Sequence, residues 1–123
     1  MLNPAGFAWV GLYASHLPTL VDFYENKLGL RVLERGDQSC LLDAGGGSLF
    51  EIWGKGFASS GRKTAREQSV QVGFLVDRLE PVVEELRTRG LHPDTKIDSY
   101  LGTRWISYTD PEGNRFELKD HKA

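Results

Sequence analysis

The amino-acid sequence predicts an α+β protein in which one βαβββ unit is used twice, and three observations carry that reading. Trp9-Val10-Gly11-Leu12-Tyr13-Ala14-Ser15-His16-Leu17 aligns without a gap on Gln71-Val72-Gly73-Phe74-Leu75-Val76-Asp77-Arg78-Leu79. The residues that follow have the i, i+3, i+4, i+7 spacing of one helix face, with Leu17, Leu20, Val21 and Tyr24 in one copy and Leu79, Val82, Val83 and Leu86 in the other. Each copy then ends in a strand of the form Phe-Glu-aliphatic, Phe50-Glu51-Ile52 and Phe116-Glu117-Leu118. Repeated halves are the arrangement in which a site is built jointly by both.

The elements follow in order. Phe7 to Ala14 is apolar and rich in β-formers, which predicts the first strand. An amphipathic helix is expected from about Leu17 to Leu28, with Pro18 tolerated in its first turn and Gly29 at its end. Three short strands come next, Arg31–Arg35, Cys40–Ala44 and Ser48–Trp53, joined by turns at Gly36-Asp37 and Gly45-Gly46-Gly47 as in antiparallel hairpins. From Gly54 to Gln68 the chain lacks periodicity, and a mobile linker is expected near residues 55–68, between units at about 7–54 and 69–119. The second unit repeats the order: a strand at Val70–Val76, a helix near Leu79–Arg89, and strands near Thr95–Asp98, Thr103–Thr109 and Asn114–Lys119. Asp77 with Glu80 has the spacing of a capping box, and Pro81 allows a later helix start. Asp110-Pro111-Glu112-Gly113-Asn114 is a turn by its chemistry, because proline fixes one φ while Gly and Asn accept positive values.

Composition bounds what such a chain does. At 123 residues it is one domain's worth, and halves of about 60 residues bury their apolar faces poorly alone. They are expected to pack together or against a second chain, as a homodimer. No apolar run approaches the ~20 residues needed to cross a membrane, and Met1-Leu2-Asn3-Pro4 lacks the basic and apolar regions of a signal peptide, so a cytoplasmic protein is expected. A net charge of -2 with scattered Lys and Arg argues against nucleic acid as a partner. The lone Cys40, in an apolar strand, reads as a buried inert thiol.

Two such units in one chain, with particular marks, resemble the vicinal oxygen chelate superfamily, the glyoxalase/bleomycin resistance protein/dioxygenase family. The marks are Leu17 before Phe23-Tyr24 and Leu28-Gly29-Leu30, Val76-Asp77 before a helix ending in Arg89-Gly90, and Gly102-x-Arg104 leading to Asp110-Pro111-x-Gly113-Asn114-x-Phe116-Glu117-Leu118. The resemblance implies that each module forms a cupped mixed sheet, and that side chains from the first and last strands of the modules hold a divalent ion in catalytic members. Here those positions are Trp9, Glu51, Gln71 and Glu117. Strand alternation agrees, turning Phe50 and Ile52 toward the helix and Leu49, Glu51 and Trp53 away from it.

Trp9 departs from the pattern. The family's first-strand positions usually hold histidine or glutamine, whereas an indole has an N–H donor and no lone pair for a metal. Glu51, Gln71 and Glu117 remain as oxygen ligands, suited to weak binding of Mg, Mn or Ca rather than to Zn or Ni. His16, His92 and His121 fall at a strand-to-helix junction, in a loop and in the C-terminal tail, where solvated or helix-start roles suffice.

Two functions lead, ahead of a purely structural or partner-binding domain whose cupped sheet accepts a loop. In the first, no cofactor is needed: a planar or cationic organic ligand is sequestered, as in the bleomycin-resistance type, by Trp9, Tyr13, Trp53, Trp105, Gln71 and Arg115, while Glu51 and Glu117 attract positive charge. In the second, a metal-dependent lyase or isomerase of the glyoxalase I or epimerase kind, Glu51, Gln71 and Glu117 hold the metal and Glu51 or Glu117 moves a proton. Arg115 and Lys119 share a strand face with Glu117, where their charge neutralises it.

Overall fold

The computed structural model describes residues 1–121. Its strands and helices run β1 (Trp9–Tyr13), α1 (Leu17–Asp22), β2 (Arg31–Arg35), β3 (Ser39–Gly45), β4 (Ser48–Trp53), β5 (Val72–Leu75), α2 (Leu79–Thr88), β6 (Asp98–Tyr100), β7 (Thr103–Thr109) and β8 (Arg115–Asp120). The chain divides into two compact units, Met1–Ala58 and Ser59–Ala123. Each holds one four-stranded mixed sheet, in the order β1-β4-β3-β2 and β5-β8-β7-β6. The first strand of each runs parallel to the last, and the remaining pairs are antiparallel hairpins. This is the α+β duplication that the self-alignment predicts.

In the first unit α1 covers one sheet face. Leu20, Val21, Phe23 and Tyr24 are buried with Leu42, Phe50 and Ile52, and the Tyr24 ring meets Phe50 edge-on at 5.0 Å. The helix differs from the single α-helix expected over 17–28: after Asp22 it widens into a π-helical segment, Phe23–Lys27, closed by the Leu28 amide donating to the Phe23 carbonyl at 2.9 Å. Placing Phe23 and Tyr24 side by side against the sheet accompanies this wider turn. His16 takes the helix-start role, its side chain accepting from the Thr19 amide.

In the second unit Leu79, Val83 and Leu86 of α2 pack on the face formed by Phe74, Ile106, Tyr108, Phe116 and Leu118. Tyr108 and Phe116 stack at 5.6 Å. The Asp77–Glu80 capping box does not form. The N-cap is Arg78, without a side-chain bond, and the Leu79 amide instead donates to Asp120 Oδ2 of β8 at 2.9 Å. Arg104 grips the same carboxylate at 2.6 and 2.9 Å and reaches Glu80 at 2.7 Å, so one buried aspartate joins a helix start to two strands. The strand expected at Thr95–Asp98 lies later, at Asp98–Tyr100. Asp94 and Thr95 are engaged by Ser107 outside the ladder, the Asp94 amide donating to its carbonyl and Thr95 Oγ1 accepting from its amide.

Part of the segment expected to be a mobile linker is hydrogen-bonded to the turn before β8. Ser59 and Lys63 donate their amides to the carbonyls of Glu112 and Gly113, and the buried Lys63 Nζ donates to Asn114 Oδ1 at 2.7 Å. Gly113, at φ 86°, is required there twice over, since a Cβ would stand 2.2 Å from the Gly61 carbonyl oxygen. Asp110 holds the turn from inside through the amides of Glu112 and Asn114.

Candidate functional site

Alternation along β4 points Phe50 and Ile52 at α1 and leaves Leu49, Glu51 and Trp53 on the opposite face of the first sheet. In the register with β1, Glu51 lies beside Gly11 and Trp53 beside Tyr13. Trp9, Tyr13 and Trp53 therefore share a face with Glu51, and they are 49%, 62% and 38% exposed. Trp9 is folded back along its strand. A Cβ on Gly11 would stand 2.2 Å from the indole Cη2, so the glycine leaves the space the ring occupies. From there Nε1–H donates to Glu51 Oε1 at 3.0 Å, a hydrogen bond strengthened by the acceptor's charge. Among the described residues no Lys, Arg or His pairs with Glu51.

The second unit has the same frame with other occupants. Glu117 lies beside Gly73, as Glu51 does beside Gly11. Over Gly73 runs the stem of Lys119, whose Cδ would meet a Cβ there at 2.7 Å. Its ammonium stands 3.5 Å from Glu117 Oε1 and 5.0 Å from the centre of the Trp105 ring. Trp105, whose face the alternation of its own strand left unassigned, is set beside Lys119 by the β7–β8 register. Gln71 precedes β5, and its Oε1 accepts from Arg115 at 3.3 Å. Arg115 also donates to the Gln68 carbonyl, while the Gln68 side chain bonds both backbone groups of Arg115. Arg115 is thus engaged in fixing Gln68 and Gln71, and it is Lys119 that neutralises Glu117.

Comparison with known proteins fits this layout. Residues 6–118 match the family model described as the Glyoxalase/Bleomycin resistance protein/Dioxygenase superfamily. The chain belongs to that superfamily. The structure is similar to a putative glyoxalase family protein from Bacillus anthracis, at 18% identity and TM-score 0.78 over 99% of this chain and 100% of that one. It is also similar to a glyoxalase/bleomycin resistance protein/dioxygenase from Nocardioides, at 20% identity and TM-score 0.73 over 99% and 87%. A lactoylglutathione lyase from Agrobacterium tumefaciens aligns at 20% identity and TM-score 0.69 over 95% and 94%. No curated protein matches the chain.

In this member of the glyoxalase/bleomycin resistance superfamily, the side chains of Trp9, Glu51, Gln71 and Glu117 are already engaged within the chain. Trp9 is a hydrogen-bond donor with no lone pair to offer a metal, and its Nε1–H donates to Glu51 Oε1. Glu117 faces an ammonium and Gln71 faces a guanidinium. Among the described residues no three His, Cys, Asp or Glu side chains gather as a metal-holding group. Three Asp, Glu or His positions elsewhere are structural: Asp120 caps α2, Asp110 holds its turn and His16 caps α1. Cys40 is buried on the helix side of the first sheet, where burial pushes its thiol pKa up and keeps it protonated. A groove of about 540 Å³ on that side runs between α1 and the β2–β3 turn, with the Glu25–Arg35 pair in its wall, and contains none of the predicted ligand-binding residues.

Lys63 and Asp120 carry no signal in the sequence alone, and Lys119 shows there only as a charge on the face of Glu117. Their signal is in the register: Lys119 is legible once Trp105 is known to be its neighbour, and Asp120 once the start of α2 is known to meet the end of β8.

Proposed function

We propose that this chain is a small-molecule-binding member of its superfamily, which holds a planar or cationic organic ligand against Trp9, Tyr13 and Trp53 without transforming it. The observation that carries the reading is Trp9: an exposed indole laid over Gly11, hydrogen-bonded to Glu51, at a position whose usual occupant lends a lone pair to a metal. A flat, fixed, half-exposed ring is a stacking surface. Glu51 supplies negative charge at its edge. The residues at the four family positions do not fit a divalent ion, because one is a donor and two oxygen ligands face cations of the chain itself. No catalytic step is therefore routed through a metal. A screen of planar and cationic compounds, read by tryptophan emission and product analysis with and without added Mn²⁺, tests the reading. Binding without product is expected, with Trp9→Ala weakening it by about 1 kcal/mol or more. Metal-stimulated product formation that disappears in Glu117→Gln would replace sequestration with a lyase or isomerase.

A further inference from the structure

The two units carry one frame with different contents. In each, a glutamate on the last strand lies beside a glycine on the first, and a long side chain is folded over that glycine. In the second unit the folded chain is Lys119, which places an ammonium between a carboxylate and a tryptophan ring. In the first unit the residue equivalent to Lys119 is Trp53, the one equivalent to Leu75 is Tyr13, and the folded chain is Trp9. Aromatic surface is present there three times over and the carboxylate is present, but among the described residues no cation of the chain accompanies it.

We propose that the open face of the first unit is a site for an organic monocation, an alkylammonium group seated on Trp9, Tyr13 and Trp53 against Glu51, the role that Lys119 performs internally in the second unit. The proposal rests on the small-molecule-binding reading and narrows it. A carboxylate partly withdrawn from water is unfavourable without a counter-charge. Glu51 has one hydrogen bond from a neutral indole and, among the described residues, no cationic partner. Trp9 holds one oxygen in place and leaves the other, Oε2, to an incoming N–H or to simple charge attraction. The three rings present negative π faces and apolar surface, which suit an alkylated ammonium better than a hydrated inorganic ion. Lys119 also sets the count. With its own ammonium on Glu117, the second unit has no need of an external cation, so the expected stoichiometry is one ligand per chain.

Choline and its neutral isostere 3,3-dimethylbutan-1-ol differ in charge and hardly in shape, and they provide the test. Calorimetry and tryptophan emission on the full chain should show choline binding once per chain and the alcohol at least about tenfold more weakly. Glu51→Gln, checked for folding by circular dichroism, should weaken choline by about tenfold, and Trp53→Leu, which keeps apolar bulk, by about fivefold. Lys119→Ala should add a second, weaker event, because it vacates the equivalent place beside Trp105 and Glu117. Equal binding of the alcohol, undiminished choline binding in Glu51→Gln, or no second event in Lys119→Ala would each overturn the proposal. Tight binding of the alcohol or of a neutral planar compound with altered Trp9 emission would leave the small-molecule reading standing. Silence toward every compound of both screens would remove that reading as well.

Discussion

Tyr108 lies wholly inside the second unit, stacked on Phe116, and its hydroxyl has no hydrogen-bond partner among the described residues. A buried hydroxyl left unpaired is a cost that phenylalanine would remove while keeping the ring. Tyr108→Phe is therefore expected to raise stability by about 0.5–1.5 kcal/mol in urea unfolding at neutral pH. Burial also pushes the Tyr108 pKa above its ordinary value. The unfolded phenol then ionises first as pH rises through about 10, so the folded state binds more protons there and stability falls. Tyr108→Phe should flatten that fall. A loss of stability in the variant would show that the hydroxyl is satisfied. At this scale the sequence was legible where a residue acts through its own strand. Alternation puts Trp9 with Tyr13 and Glu51 with Trp53 on one side of their strands, and the parallel β1–β4 register makes it the same face. It was opaque where a side chain meets one distant in the chain, as Lys119 meets Trp105 and Lys63 meets Asn114.

Helix α2 shows what an element owes to its sequence and what it owes to its neighbours. Its apolar stripe is read directly from spacing, and Leu79, Val83 and Leu86 are buried as that spacing requires. Its start is not. Asp77 and Glu80 have the right separation for a box, yet Asp120 takes the Leu79 amide, since a buried carboxylate fixed by Arg104 outcompetes a solvated one. The stripe is the part a substitution tests. Leu86→Ala in the second unit and Leu20→Ala in the first each remove a buried side chain from a helix–sheet contact and should cost about 2–5 kcal/mol in denaturant unfolding. A loss below about 0.5 kcal/mol for either would mean that its helix packs by another face. The strands were the most legible elements, with β2, β4 and β7 at their expected bounds, because the turns between them are written in glycine. Strand β6 was displaced because Thr95 and Asp94 bond to Ser107 from outside the ladder.

For the molecule as a whole, the duplication is complete down to strand order, and the open sheet faces remain apolar in part. Trp9, Tyr13 and Trp53 in the first unit and Leu75 in the second are large side chains left accessible in a single chain. Exposed apolar surface grouped in this way marks binding and association. We predict a homodimer: light scattering at micromolar concentration should return twice the 13.8 kDa chain mass. A monomer mass would mean that those faces serve ligand alone.

The strap from Ser59 to Lys63 bears on where this repeat can be divided. The Gly56 amide is tied to Ala14 in the first unit and the Ser59 amide to Glu112 in the second, so two residues, Phe57 and Ala58, pass between anchored points. What composition marks as a long spacer is mostly cargo of the second half. A fragment begun at residue 69 would lose the lysine that braces Asn114 and strip the cover from Gly113, whereas one begun at Ser59 carries its own brace. Recombination between such repeats, natural or engineered, keeps the second half whole when it joins before Ser59.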